Sequence, residues 1–205
     1  QDDPEYEAKA HCAPMAAGAG LIPFPVVDFA AVKDHIAAAI RQIEPHDSQE
    51  RFESLGVRVI RAEARFTGRQ SLTAGDFAIT ARHFVIAAGS APVIPEIDGL
   101  RPDRVLTNEN IFTLREKPEH LLIIGGGPIG LELAQAHRRL GSEVTVIEAL
   151  EPLGKDDPEM AAVVLRRLEA EGIRIIDGAR VEHIDSARSA LRVYMTREGA
   201  LEATG

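Results

Sequence analysis

The feature that most constrains the fold is a glycine-rich turn within residues 121–148, LLIIGGGPIGLELAQAHRRLGSEVTVIE. Four apolar residues lead into this turn and end at Ile124, as is typical of a buried parallel strand. After the turn, apolar residues recur at helical spacing up to Gly141, namely Ile129, Leu133, Ala136 and Leu140. The second predicted strand is residues 143–148. The segment therefore predicts a strand, helix and strand unit of an α/β fold.

The turn itself, residues 125–130, fits the pattern G-x-G-x-x-G. Gly125 permits a tight turn, Gly127 lets the backbone approach a pyrophosphate, and Gly130 lets the helix pack close to the strand. The free amides and the dipole of the helix N-terminus favour an anion by roughly 0.3 to 1 kcal/mol. Glycines alone are equally compatible with a tight turn in a core. The strand, the helix and a following acidic residue favour dinucleotide binding.

That acidic residue is Glu148, which ends the second strand about 20 residues after the turn, where a carboxylate accepts hydrogen bonds from an adenosine ribose. A 2′-phosphate about 4 Å from this carboxylate would be repelled by roughly 4 kcal/mol per charge pair at an effective dielectric constant of about 20. The segment that follows, ALEPLG, has no arginine to bind such a phosphate. The sequence therefore predicts NAD, with NADH preferred over NADPH.

Composition excludes some partners. The net charge of -9, without a basic run, disfavours nucleic acid and an anionic membrane surface. Charges, prolines or glycines interrupt every apolar run, so no membrane span is expected. His11 and the single Cys12 are adjacent, but without a second cluster they predict no metal site. One cysteine and no secretory signal favour a cytoplasmic location, and the Gln1 start suggests a fragment.

The chain before the turn carries weaker patterns. Asp28 is expected to cap a helix with an apolar stripe. The stripe consists of Phe29, Val32, Ile36, Ile40 and Ile43. Asp47 or Ser48 is expected to cap a second, short helix over residues 48–55. In residues 57–66 apolar and polar residues alternate, which predicts a half-exposed strand. Residues 67–75 are predicted to form turns. Two further strands are predicted at residues 77–79 and 84–87, and the second of them is expected to be buried. The small residues 87–90 end that strand and suit either a close ligand or tight packing. A domain boundary is expected near residue 117.

The pattern after Glu148 continues the α/β organisation. Asp157 is expected to cap a helix in which Met160, Val164 and Leu168 share one face. Residues 173–176 are the next predicted strand. Residues 181–184 and 191–195 are predicted antiparallel strands because apolar and polar residues alternate in the second of them.

Together these stretches resemble the flavin- and pyridine-nucleotide-dependent disulfide oxidoreductases, the family of dihydrolipoamide dehydrogenase, glutathione reductase and mercuric reductase. The resemblance covers about residues 26–184 and rests on VIAAGSAPVIP with IDGL, on LTNENIF, and on IIGGGPIGLELA with LGSEVTVIE. PHDSQERFESLGVRVIRAEARF is similar to the branch that contains mercuric reductase and dihydrolipoamide dehydrogenase. The resemblance implies an incomplete FAD-binding domain, residues 1–116, and an inserted Rossmann-like NAD-binding domain, residues 117–205, whose C-terminal part is incomplete. A parallel sheet and a small antiparallel segment are expected.

The same resemblance assigns contacts to both cofactors. Ala64 is expected near the flavin's adenine, and residues 87–90 match the second flavin motif through Ala88, Gly89 and Ser90, with Ala88 where threonine is common. Pro128 and Ile129 take the positions beside the nicotinamide. Glu132 matches the glutamate that contacts the carboxamide and pairs with a lysine near the redox cysteines. Without the resemblance, Glu132 would be interpreted as an exposed helix acid.

Several parts of the family pattern do not occur in these residues. They are the first flavin glycine motif, the C-x4-C redox pair and the dimerisation domain with its histidine. Five residues before Cys12 stands Glu7 rather than a second cysteine. No catalytic residue is therefore assigned to this chain, which is expected to be inactive alone and part of a homodimer in the complete protein.

Three functions remain open at this point. The first is part of an enzyme that passes a hydride from NADH to FAD and on to a disulfide or a metal ion. The second is a flavin enzyme that reduces oxygen, a peroxide or a quinone without redox cysteines. The third is a non-catalytic dinucleotide-binding module.

Overall fold

The computed structural model describes residues 27–186, 191–197 and 200–204. The α-helices in these ranges are α1 (Phe29–Ile43), α2 (Gln49–Ser54), α3 (Pro128–Arg139) and α4 (Pro158–Ala170). The strands are β1 (Ala64–Gly68), β2 (Ser71–Ala74), β3 (Phe77–Thr80), β4 (His120–Ile124), β5 (Glu143–Ile147), β6 (Arg174–Ile176), β7 (Ala179–Ser186), β8 (Leu191–Arg197) and β9 (Ala200–Thr204). Short 3-10 turns cover Glu44–Asp47, Pro102–Arg104 and Ile111–Thr113. His11 and Cys12 lie outside the described residues.

The described strands form three separate sheets. The parallel sheet has the order β4-β5-β6, with Leu121 opposite Val144 and Val146 opposite Ile175. Helix α3 connects β4 to β5, and α4 connects β5 to β6. The sheets β1-β2-β3 and β7-β8-β9 are antiparallel. The prediction of an α/β fold with a parallel sheet and small antiparallel segments is confirmed.

Three predicted helix caps are present. The Asp28 carboxylate accepts a hydrogen bond from the Ala31 amide at 3.0 Å. The Ser48 hydroxyl oxygen accepts from the Arg51 amide at the start of α2. The Asp157 carboxylate accepts from the Glu159 and Met160 amides at the start of α4. Such caps satisfy amides that have no partner within the helix, so these helix starts could be read from the sequence.

Two apolar clusters form the core. One joins the parallel sheet to α3 and α4 and includes Leu131, Val146 and Leu168. The other joins the C-terminal ends of β5 and β6 to the sheet β7-β8-β9 and includes Ile147 and Met195. The central strand β5 takes part in both, and its position explains why Val144 to Ile147 are all buried.

The predicted faces of α1 and α4 are partly wrong. Helix α1 buries Phe29, whereas Ile40 and Ile43 at its C-terminal end are more than half exposed. Helix α4 buries Leu168 as expected, whereas Met160 and Val164 are exposed. Periodicity indicates that a helix is amphipathic, but the elements packed against it determine which turns are covered.

Helix α3 also turns a different face to the core than the sequence predicts. The described structure buries Leu131, Ala134 and His137, whereas Ile129 and Ala136 are exposed. Ala134, with 0% exposure, lies on this face and belongs to the apolar cluster between α3 and the parallel sheet.

Two predicted strands are wrong. Residues 57–63 are not in a strand, and regular pairing begins only at Ala64. Residues 84–87 are also not in a strand, and Val85 and Ile86 are 89% and 78% exposed. A buried parallel strand needs hydrogen-bonded neighbours, and none of the described strands pairs with this segment.

A buried polar contact joins α1 to the 3-10 turn Ile111–Thr113, and the Phe29 ring of α1 also lies against His137 of α3. Lys33 is only 3% exposed, and its ammonium donates to the Ile111 carbonyl at 3.2 Å and lies over the Phe29 ring. The Nδ1–H of His137 donates to the Leu133 carbonyl at 2.9 Å, and its buried Nε2 has no partner among the described atoms. Burial lowers the pKa of Lys33, and burial together with the nearby Lys33 charge lowers that of His137.

Candidate dinucleotide-binding site

The glycine turn lies at the C-terminal end of β4, where it extends the parallel sheet by one hydrogen bond. The Gly125 amide donates to the Ile147 carbonyl at 2.8 Å. Gly125 has φ +113°, a conformation that L-residues with side chains rarely adopt. The predicted tight turn at Gly125 is therefore present at the edge where open α/β sheets bind ligands.

Gly130 is required by the packing of α3 on this turn. A Cβ atom at this position would overlap the carbonyl oxygen of Gly125 and touch the Ile123 side chain at 3.4 Å. The α3 backbone at Gly130 therefore lies directly against the turn, with no space for a side chain. This geometry matches the close helix and strand packing predicted for the last glycine of the motif.

Gly127 faces open space. It precedes α3 as the N-cap residue with φ -75°, and a Cβ atom here would meet nothing within 4 Å. Pro128 occupies the first helical position, and Pro128 and Ile129 are exposed beside the turn. Glu132 is exposed one helical turn further along α3. The free volume at Gly127 adjoins the α3 N-terminus, whose first amides are the donors an anion requires.

Glu148 lies against the same turn. Its Oε2 accepts from the Gly126 amide at 2.7 Å, and its Oε1 accepts from the Leu150 amide at 2.9 Å. The residue is half-buried. The structure thus brings the predicted ribose carboxylate into direct contact with the turn predicted to hold the pyrophosphate.

Sequence reasoning missed Gly126. This buried residue donates to Glu148 and accepts from the Leu153 amide at 3.0 Å. A Cβ atom at Gly126 would lie 3.0 Å from Pro152 Cβ and 3.1 Å from Glu148 Cβ. The signal in the sequence was a glycine at the second position of the motif, between Gly125 and Gly127, which any residue can occupy.

The residues assigned to flavin lie apart from the glycine turn in the sequence and are exposed. Ala64 begins β1, and Ala88, Gly89 and Ser90 lie in the irregular segment after the predicted strand 84–87. Gly89 has φ +69°, and a Cβ atom there would meet nothing within 4 Å. The backbone of this segment is therefore open to a ligand, whereas no enclosing strand among the described residues covers it.

The segment that follows docks onto the C-terminal sheet. The Ile184 amide donates to the Asp98 carbonyl at 2.8 Å, and the Asp98 carboxylate contacts His183 Nδ1 at 2.8 Å. Gly99, with φ +76°, has no space for a side chain because a Cβ atom would overlap the Ile184 carbonyl. A shallow cavity of about 530 Å³ near this contact contains none of the predicted site residues; its lining includes Ile94, Ile97, Leu100 and Val105.

A charged cluster links the two helices that flank the parallel sheet. Glu171, whose side chain is 14% exposed, contacts Arg139 and Arg167 at 2.8 Å each. Hydrogen bonds from Arg139, and then from Arg167, lower its pKa from 4.5 to about 2. This cluster lies at the C-terminal ends of α3 and α4, so it stabilises the helices at the end opposite the turn.

The described residues contain no group of three or more His, Cys, Asp or Glu side chains arranged to hold a metal ion. No helix in the described ranges is long and apolar enough to cross a bilayer.

Comparison with known proteins places this site in a family. The sequence pattern of the pyridine nucleotide-disulphide oxidoreductases matches residues 12–204. The chain belongs to this family. A mercuric reductase of Lysinibacillus sphaericus is 30% identical over 177 residues, which are 86% of this chain and 32% of that protein. A dihydrolipoyl dehydrogenase of Chlorobaculum tepidum is 30% identical over 156 residues, which are 72% of this chain and 33% of that protein.

A solved oxidoreductase has the same fold. The Cu(II) complex of the HOCl-induced flavoprotein disulfide reductase RclA from Escherichia coli superposes with a TM-score of 0.70 at 28% identity. The match covers 87% of this chain and 41% of that one. The chain thus spans about a third of these curated relatives and about two fifths of this structural neighbour. The predicted resemblance to the mercuric reductase and dihydrolipoamide dehydrogenase branch is confirmed.

Proposed function

We propose that this chain supplies the NADH-binding unit and part of the flavin-binding wall of an oxidoreductase that passes a hydride from NADH to FAD and on to a disulfide or a metal ion. The observation that carries the proposal is the contact of Glu148 with the open glycine turn. In this proposal NADH, when bound, would supply a hydride that bound FAD would accept. No residue of this chain is assigned a catalytic role.

The residues of the turn fit the diphosphate and ribose of NADH. The space at Gly127 and the free amides at the start of α3 would accept the pyrophosphate, and Glu148 would accept hydrogen bonds from the ribose hydroxyls. Pro128, Ile129 and Glu132, on the exposed first turns of α3, would lie towards the nicotinamide. The carboxylate at the ribose position favours NADH over NADPH, because a 2′-phosphate would meet a like charge.

The flavin would be bound through the first part of the chain. We propose domains at residues 1–116 and 117–205, the first contributing Ala64, Ala88, Gly89 and Ser90 to the FAD site. The exposed apolar side chains of Val85 and Ile86 support this arrangement, because adjacent apolar side chains this exposed are typical of a surface that binds another element or a ligand. We expect a further part of a complete, homodimeric cytoplasmic protein to provide that element.

The final acceptor is proposed from the relatives. One is named a mercuric reductase, one a dihydrolipoyl dehydrogenase, and the structural neighbour is a disulfide reductase in complex with Cu(II). These names support a metal ion or a disulfide. An enzyme that reduces oxygen, a peroxide or a quinone is the alternative, and a non-catalytic dinucleotide-binding module is the alternative outside enzymes.

The visible absorption spectrum of the purified protein separates these functions. Flavin bands that bleach on anaerobic addition of NADH support the enzyme. A colourless protein that binds NADH supports the module. Because this chain has the single Cys12, thiol titration of the bleached, complete parent protein then distinguishes the two enzymatic functions. Disulfide or metal-ion reduction should expose two new thiols, and direct reduction of oxygen, a peroxide or a quinone should expose none.

A charge reversal tests the ribose assignment. Glu148→Arg should shift preference towards NADPH, because it replaces the repelling carboxylate by a cation. Glu151→Arg is the matched control, since it makes the same charge change in an exposed residue of the same loop. Dissociation constants for both dinucleotides, measured by fluorescence, should change their ratio in the first variant alone. An unchanged ratio in Glu148→Arg contradicts the assignment.

A further inference from the structure

The carboxylate of Glu148 is fixed before any ligand binds. Each of its oxygens accepts one backbone hydrogen bond, Oε2 from Gly126 at 2.7 Å and Oε1 from Leu150 at 2.9 Å. A carboxylate oxygen has two lone pairs, so one acceptor site remains on each oxygen. Two remaining acceptors match the two hydroxyl donors of an adenosine ribose.

The peptide groups around Gly126 are held from both sides. Its amide donates to Glu148, and its carbonyl accepts from the Leu153 amide at 3.0 Å. Pro152 and Glu148 lie so close that a Cβ atom at Gly126 would approach both to about 3 Å. Residues 149–153 therefore lie directly against the glycine turn, and we call this segment the strap.

Leu153 secures the far end of the strap in an unusual conformation. It is the one non-glycine residue with positive φ in the described part of the chain, at +55°. Its carbonyl accepts from the Asp156 amide at 2.8 Å, and its side chain packs against the core cluster between the sheet and the helices. A left-handed leucine is disfavoured, so surrounding contacts must maintain it, and such residues concentrate at binding sites.

We propose that Gly126 and Leu153 are positioning residues that hold Glu148 in its ribose-binding orientation and thereby set the discrimination between NADH and NADPH. This inference rests on the proposed function, in which the turn binds NADH. A mobile glutamate could rotate away from a 2′-phosphate and reduce the repulsion. Here that rotation breaks the charge-assisted bonds to Gly126 and Leu150, so the carboxylate stays where the 2′-phosphate would lie.

Two substitutions at Leu153 separate positioning from simple packing. Both Leu153→Val and Leu153→Asn remove the leucine side chain from its apolar contacts. Asparagine tolerates positive φ and keeps the amide in place, whereas β-branched valine resists this conformation. A purely structural role predicts similar changes in both variants.

The readout is the ratio of the NADPH and NADH dissociation constants, measured by fluorescence titration of the full chain. Both dinucleotides share the pyrophosphate and nicotinamide contacts, so the ratio isolates the ribose end. We expect Leu153→Val to lower the ratio by roughly tenfold, the effect of losing one charge-assisted hydrogen bond. The ratio for Leu153→Asn should stay within about twofold of the parent ratio, a change that corresponds to less than half of the free energy of such a hydrogen bond. Gly126→Ala, which displaces Pro152 or Glu148, should lower the ratio as Leu153→Val does.

The outcomes distinguish this inference from the proposed function. Glu148→Gln should abolish the preference for NADH. If it does, while Leu153→Val and Gly126→Ala retain the parent ratio, the positioning role is wrong and the ribose site stands. Equal ratios in Leu153→Val and Leu153→Asn also overturn the positioning role. A parent chain that binds neither dinucleotide, or a Glu148→Gln variant with unchanged ratio, overturns the proposed function and this inference with it.

Discussion

Alanine substitutions at Gly130 and at Gly127 should separate an effect on the stability of the fold from an effect on NADH binding. In Gly130→Ala the new Cβ overlaps the backbone oxygen of Gly125, which has no rotamer with which to move away. Helix α3 must shift from β4, and this shift disturbs Leu131 and Ala134 in the core. Overpacking of a core costs about 1 to 3 kcal/mol. Because backbone is involved, we expect a loss of about 3 kcal/mol in the free energy of unfolding.

In Gly127→Ala the same methyl group enters open space, and the backbone φ of -75° suits any residue. Alanine is a poorer N-cap than glycine but restricts the unfolded chain, and these effects partly cancel, so stability should change by less than about 1 kcal/mol. The methyl group, however, occupies the space proposed for the pyrophosphate. NADH affinity should therefore fall by at least about tenfold, or 1.4 kcal/mol.

Thermal unfolding and NADH titration of the two variants form the assay. A loss of about 3 kcal/mol corresponds to a melting temperature lower by roughly 6 to 12 °C for a chain of this size. Wild-type melting of Gly130→Ala would refute the close packing of α3 on β4. Normal NADH binding by Gly127→Ala would refute the pyrophosphate assignment, whatever its stability.

Three further predictions concern stability. The pKa of His137 is lowered in the folded state, so the folded state disfavours the protonated ring and the free energy of unfolding should fall as the pH drops below about 6.5. His137→Phe should remove this pH dependence, which urea unfolding at several pH values measures. The pKa of Glu171 is about 2 in the folded state and 4.5 otherwise, so the free energy of unfolding should fall further as the pH drops below 4.5, and Glu171→Gln should abolish this fall. Because the arginine partners of Glu171 are exposed, each ion pair contributes at most about 1 kcal/mol. Gly99→Ala should lower the melting temperature more than Gly56→Ala, since both have positive φ and only Gly99 meets another backbone. For each, an unchanged profile or equal melting temperatures would contradict the stated contact.

The elements that could be predicted from the sequence are those whose determinants are local. The caps at Asp28 and Asp157 satisfy amides within the next turn, so neighbouring residues reveal them. Strands β4 and β5 lie side by side in the parallel sheet, and the apolar residues that each contributes to the core show in the sequence. The alternation of Val193 and Met195 likewise reveals the buried face of β8.

The features that were missed depend on contacts between distant residues. Residues 84–87 have the composition of a buried strand, but a strand forms only when another strand supplies hydrogen bonds. The buried His137 was unexpected because a polar side chain on a helix is normally assigned to the solvent face. Which face of α3 is buried follows from the approach of Gly130 to Gly125, a contact that periodicity does not encode.

The candidate site shows the same division. The position of Glu148 after β5 follows from the spacing of the motif, and the structure places it at the turn. The spacing carries no information on the partners of its carboxylate. The amide of Gly126, 22 residues earlier, and the left-handed Leu153 emerge only when the loop after β5 is folded against the turn.

A crystal structure of the chain with bound NADH tests the central claim most directly. We predict the pyrophosphate beside Gly127 at the N-terminus of α3, and the adenosine ribose hydroxyls within hydrogen-bonding distance of the Glu148 carboxylate. A dinucleotide bound elsewhere, or a Glu148 side chain turned to solvent in the complex, would contradict the proposed site.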